Sequence, residues 1–443
     1  MSQAGEGLRG PRVLLIGLVL FASLAAPYAL GIIAAEIQVS CLAAMAAASL
    51  ALSNWYRHRL IRPVIITTVC VGFTVTFVDA FARYLPAYQT IAAEGRYISR
   101  WPALPSLYRY EASRRVDSIV HGDLIEITGN YQFSRRVVFE TDSHGFRNDL
   151  ATEQRAYREG VDVVLLGDSF GAGIGVSQHE TWARQLADRY GVSNYNLSLG
   201  AASLWQELIN LKLELGRLKP RPNAVLLWMI FVGNDLDNKY GTSVETPELL
   251  SEHQQFLNSV SLYRQRSPLV RAYQRLTASP EPGFFEIRDM PISGKILFIR
   301  DYSRAKNRTV EDVRLHENYP RLKDVFREMG RFTKEQGLPV RVVVAPTKAE
   351  IHPWLLNGSL PGDVSAEQSG FSRVLEDLCQ ARGFFFLDLK APLLEYLRPL
   401  ETVEDLLYLP DNSHWNARGN RVVAEIIHEQ VLERPEEDPH SMR

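Results

Sequence analysis

Apolar residues crowd the start of the chain and then settle into short, regularly spaced runs. Three apolar stretches, at about 13–35, 37–53 and 61–82, each approach the roughly 20 residues that a bilayer-spanning helix needs. The first is long for the apolar part of a cleaved signal peptide and lacks a small-residue cleavage site before the next run. Only Glu36 and Gln38 divide it from the Ala-rich second stretch, which predicts a tight helical hairpin. Arg9 and Arg12 precede the first stretch, and Arg57, His58, Arg59 and Arg62 lie between the second and third. Both clusters would face the cytoplasm. Three spans then carry everything after about Arg83 to the periplasmic or extracellular side of a bacterial inner membrane, whereas two spans reverse that side.

Beyond the third stretch, Leu85-Pro86 and Trp101-Pro102-Ala103-Leu104-Pro105 break regular structure and predict a linker. The pattern over 124–141 is β-like, closed by a turn at Asp142 to Arg147. From 161 onward apolar runs alternate with helical periodicity, the mark of parallel strands joined by crossover helices. Strands are predicted at 161–166, 195–197, 225–231, 340–345 and 384–389, and helices at 181–190, 205–218, 319–336, 365–382 and 419–432. They fit one doubly wound five-stranded sheet. The rhythm fails over 240–317, where Pro and Gly interrupt a polar segment, predicting an insertion that acts as a lid or faces substrate. The division is therefore 1–86 membrane anchor, 87–150 linker and small strand-rich module, and 151–435 catalytic domain.

Charge and cysteine content remove several classes of function. Lys and Arg number 49 against 51 Asp and Glu, with no long basic run, so there is no electrostatic case for a nucleic-acid partner. Two of the three cysteines, Cys41 and Cys70, lie in the apolar stretches and leave Cys379 alone. That excludes a disulfide framework or a cysteine zinc site.

Candidate chemistry falls at the ends of the predicted strands. Val163-Val164-Leu165-Leu166 runs into Gly167-Asp168-Ser169-Phe170, placing Ser169 just past a strand's carboxyl end, where open α/β sheets form their crevices. A serine there can attack an acyl carbonyl if a base takes its proton and donors hold the oxyanion. His414, in Asp411-Asn412-Ser413-His414-Trp415 before a predicted helix, supplies the base, with Asp411 three residues earlier to orient it. Gly200 after the second strand offers a backbone N–H, and Asn234, in Gly233-Asn234-Asp235 after the third, a side-chain amide. With the N–H of Ser169 itself, these form the expected oxyanion hole. Asp168, Lys348 (after the fourth strand) and Trp415 are candidates for substrate contact, and Trp205 and Trp354 for stacking on a sugar ring. His144 and His179 have no evident partner and are assigned structural roles.

Singly these motifs are weak; Gly-Asp-Ser alone would arise by chance in roughly one chain in ten of this size. Together, in this order, they resemble the SGNH or GDSL family of serine esterases and acyltransferases. The four blocks correspond to Gly167-Asp168-Ser169-Phe170, Gly200, Gly233-Asn234-Asp235 and Asp411-Asn412-Ser413-His414, spread over about 161–432. The resemblance implies a flavodoxin-like αβα sandwich with no metal and no organic cofactor. Phe170 stands where many members have Leu. His414-Trp415 looks like the form found in alginate-type polysaccharide acetylation proteins.

The leading expectation is a membrane-anchored serine ester hydrolase acting on acylated carbohydrate or lipid. The alternatives are an O-acetyltransferase that modifies an exported polysaccharide, with the same residues, and an inactive binding or assembly protein that keeps the fold. The expected partners are the membrane and the acylated carbohydrate or lipid substrate, and the sequence does not point to any particular protein partner.

Overall fold

The computed structural model describes residues 98–124, 133–255, 284–358 and 364–433, apart from 102, 242 and 249. The expected membrane spans and the 87–97 part of the expected linker lie outside these residues. Among the described residues no helix is long and apolar enough to cross a membrane. The chain divides into two compact units, Met1–Tyr88 with Leu250–Pro280, and Gln89–Leu249 with Glu281–Arg443; the second is described here.

Four strands precede the sandwich. β1 (Ile98–Trp101) and β2 (Leu104–Tyr110) form one antiparallel pair, β3 (Arg115–Val120) and β4 (Arg135–Glu140) another. The first pair corrects the linker expectation at Trp101-Pro102-Ala103-Leu104-Pro105. A two-stranded ribbon has only edge strands, which tolerate proline, and burial of Leu104, Leu107 and Tyr110 supplies its apolar face.

The main sheet contains β5 (Val161–Gly167), β6 (Asn194–Asn196), β7 (Pro220–Phe231), β10 (Val340–Ala345) and β11 (Phe385–Asp388), all parallel, in the order β11-β10-β7-β5-β6. This is the flavodoxin-like 2-1-3-4-5 order, with its switch point beside the first strand. Each strand lies within a few residues of its predicted position; β5, β7 and β10 are marked by the unbroken apolar runs of strands buried on both faces.

Helices cover both faces. On one, Val164, Leu166, Leu226, Trp228, Ile230, Val342 and Val344 pack against α1 (Leu150–Glu159), α4 (Leu204–Glu214), α7 (Tyr319–Glu335) and α8 (Gly370–Gln380). On the other, Val163, Leu165, Leu227, Met229, Phe231, Val343 and Ala345 meet α3 (Trp182–Tyr190) and α9 (Ala417–Ile427). Each such side chain fully buried contributes about 1.5–3 kcal/mol. Between these lie the four-residue α2 (Ser169–Ala172) and, late in the expected insertion, the hairpin β8 (Phe285–Asp289) and β9 (Lys295–Ile299) followed by α5 (Arg300–Ala305) and α6 (Val310–Leu315). Ile296, Leu297 and Phe298 are buried, so this part of the insertion is packed structure.

Candidate active site

β5 turns directly into α2, and Asp168 makes the turn. Its carboxylate accepts from the Phe170 N–H at 2.8 Å, capping the helix that Ser169 begins. Asp168 is fully buried, and that burial pushes its carboxyl up to about 6. It is thus a capping group and not the expected substrate contact. The half-buried Ser169 donates its hydroxyl to Asp168 Oδ2 at 3.3 Å. Arg147 holds the far end of this turn, donating to the carbonyls of Ala172, Gly173 and Val176.

Phe170 is the floor between the two candidate reacting groups. Its ring stacks on Phe231 at 4.1 Å, meets Trp415 edge-on at 4.9 Å and lies 5.1 Å from the His414 ring. Trp415 is 2% exposed, and Trp205 and Trp354 are also buried. All three are core residues, each in an apolar cluster, a correction to the expected sugar contacts: their rings serve as packing.

His414 lies on a loop pinned at both ends. Tyr408 bridges Trp415, the Leu409 N–H donates to the His414 carbonyl at 2.8 Å, and Asn416 caps α9 through the Gly419 N–H. Burial, then the positive charges of Lys348 and Arg135, push the imidazole down to about 3. Its Nδ1 meets the Asn412 side-chain oxygen, and Asn412 Nδ2 donates to Asp123 Oδ2 at 2.6 Å.

The expected pairing of Asp411 with His414 is not formed. The Asp411 carboxylate accepts from the Gly122 N–H at 2.8 Å and from Arg135 Nη1 at 3.0 and 3.1 Å. A guanidinium brings to the carboxylate a positive charge that a neutral imidazole lacks, and Arg135 and Gly122 come from the strand-rich module, 276 and 289 residues away in sequence.

The other expected groups do reach the sheet's carboxyl edge. The Gly200 N–H points to the Tyr110 hydroxyl at 3.0 Å, so this expected oxyanion donor already has an acceptor. Asn234 lies in the turn after β7, its side-chain oxygen buried and without a hydrogen-bond partner among the described residues. Lys348 is 4% exposed and donates to the carbonyls of Leu297, Leu409 and Pro410 at 2.6, 2.7 and 3.5 Å. It clamps the histidine loop to β9, correcting its expected role in substrate contact. His144 has partners after all: Arg217 at 2.7 Å and the nearby Glu153 and Glu214.

Ser169, Gly200, Asn234 and His414 therefore gather where β5, β6, β7 and the loop before α9 end, at the switch point of the sheet. Sequence reasoning passed over Asn412, Asp123, Arg135 and Tyr110. Asn412 lay inside the recognised motif, but nothing in the sequence marked the other three. Among the described residues no group of three His, Cys, Asp or Glu could hold a metal ion.

A parallel αβα sandwich with a serine after its first strand and a histidine before its last helix is the arrangement expected of a chain that resembles the SGNH hydrolases. Residues 297–441 match the family described as SGNH hydrolase-like domain, acetyltransferase AlgX, as the motif resemblance implied. That stretch carries Lys348, Asp411, Asn412 and His414, while Ser169, Gly200 and Asn234 precede it. The chain is similar to the psychrotrophic esterase EstA from Pseudoalteromonas sp. (11% identity over 61% of this chain and 96% of that chain, TM-score 0.29). It is also similar to a member of the lipolytic G-D-S-L family from Veillonella parvula (11% identity, 61% and 98%, TM-score 0.32). Among curated proteins, none matches.

Proposed function

We propose that this protein is a serine acyl-transfer enzyme, anchored in a membrane by its amino-terminal apolar stretches, that acts on acyl esters of a carbohydrate or lipid outside the cytoplasm. One observation carries the reading: Ser169 and the His414 ring flank Phe170 at the switch point, with Nδ1 of His414 engaged and Nε2 left as the base. Ser169 Oγ attacks the ester carbonyl and gives its proton to Nε2. The oxyanion is held by the side chain of Asn234, the amide of Ser169 and the amide of Gly200 once it leaves the Tyr110 hydroxyl, each worth about 3 kcal/mol of barrier by analogy with measured donors. Collapse expels the alcohol, which takes the proton from His414 and leaves acyl-Ser169. Water or a sugar hydroxyl then accepts the acyl group.

Of these two acceptors, the match of 297–441 to the acetyltransferase AlgX domain favours the sugar hydroxyl. With an activated acetyl ester and an oligosaccharide acceptor, acetylated sugar should form faster than free acetate. The reverse ratio identifies a plain esterase. Ser169→Ala should abolish both products without lowering the melting temperature, because a half-buried hydroxyl contributes little packing. An unlabelled Ser169 after treatment of the native protein with a fluorophosphonate would instead support a scaffold that binds and does not react.

A further inference from the structure

We infer that Asn412, backed by Asp123 of the strand-rich module, is the residue that positions His414, and that Asp411 instead fastens that module to the histidine loop. The inference rests on the serine-site reading above.

The hydrogen-bond chain allows only one arrangement of protons. The Asp123 carboxylate is an acceptor, so Asn412 must turn its NH₂ toward it, as the 2.6 Å contact shows. That directs the amide oxygen of Asn412 at His414 Nδ1, which must then carry the proton. Nε2 is left with the lone pair that a general base requires. An amide holding an imidazole in this way also serves in Cys-His-Asn sites. Asn412 is 3% exposed, so water competes little for either bond.

The same segment of the module grips the adjacent residue. The Gly122 N–H bonds the Asp411 carboxylate, the Asp123 side chain takes Asn412, and the Leu124 N–H reaches the Asp411 carbonyl at 3.4 Å. A Cβ at Gly122 would lie 2.2 Å from Asp411 Cγ, so the fit leaves no room for a side chain. With Arg135 on its other side, both carboxylate oxygens of Asp411 are engaged by the module. The charged groups around His414 are then Lys348 and Arg135, with Asp411 paired to Arg135 and Asp123 one amide removed.

The test uses the full-length protein in detergent with an activated acetyl ester, measuring kcat, KM, the pH profile and melting temperature. Asn412→Ala should lower kcat roughly 100-fold or more at nearly unchanged KM, since a misoriented imidazole can lose up to about 10⁴. Asp123→Ala should cost roughly 10-fold, being one bond further away. The double variant Asp123→Asn with Asn412→Asp rebuilds the chain with the carboxylate beside the ring. It should recover most of the lost kcat and move the acid limb of kcat/KM up by about one pH unit or more, a shift that a purely structural role would not produce. The inference is overturned if Asn412→Ala and Asp123→Ala retain wild-type kcat, or if the double variant folds but neither recovers activity nor shifts the limb. Full activity in Ser169→Ala would strike the serine reading itself, a result separate from all of these.

Discussion

Replacing Lys348 with Met isolates one buried charge. The amine is 4% exposed, and burial, opposed by the nearby Asp411 and Asp123, pushes it down to about 7 from the usual 10.5. The sign follows from proton counts: between pH 7 and 10.5 the unfolded chain keeps this proton and the folded one has released it. Folding therefore gains stability as the pH rises through that window. At about 1.4 kcal/mol per decade, the whole window is worth about 5 kcal/mol as a ceiling, and the interval from pH 7 to 9 about 2 kcal/mol. The variant loses this gain, while the other titrating groups are common to both proteins and cancel. Thermal melts at the two pH values should show the difference between wild type and variant widening in favour of the wild type by roughly 2–3 °C toward pH 9. The variant should also be less stable at pH 9, because the carbonyls of Leu297 and Leu409 lose their Lys348 donor, at about 1–3 kcal/mol for each left unsatisfied. Equal pH slopes for the two proteins would refute the reasoning.

Arg135→Ala leaves Asp411, which is 3% exposed, without its cation; urea denaturation should show a loss of about 3 kcal/mol. The same change removes one of the charges holding His414 down, so the acid limb of kcat/KM should rise; an unmoved limb would place Arg135 outside the ring's field. Tyr110→Phe deprives the Gly200 N–H of its acceptor, which should cost about 1 kcal/mol in stability and speed acylation of Ser169 by a fluorophosphonate. An unchanged acylation rate would remove Gly200 from the oxyanion hole.

The sheet was legible because local pattern determines it. Strands buried on both faces are continuous apolar runs, and the helices between them carry one apolar side, so boundaries such as 340–345 coincide with those of β10. Ser169, Gly200 and Asn234 were legible for a related reason: each follows a strand directly, and its position is inherited from the strand. The residues around His414 were not. Asp411 stands three positions from the histidine, and spacing alone pairs them, but the carboxylate's partners lie 276 and 289 residues back. The small ribbons were hidden too, because the prolines that break a central strand are tolerated at a strand edge.

The histidine loop shows why such contacts concentrate there. It follows the last short stretch before α9 and belongs to no strand, so the sheet does not position it. Three anchors from distant parts of the chain do so instead: the 122–124 segment on Asp411 and Asn412, Lys348 on the carbonyls of Leu409 and Pro410, and the Leu297 N–H on the Pro410 carbonyl at 2.8 Å. A nucleophile fixed by a strand needs little help, whereas a base on a loop must be held within a few tenths of an ångström by other means. The strand-rich module and the β8–β9 hairpin provide that hold, and a change in either should register first in the behaviour of His414, before the sandwich itself loosens.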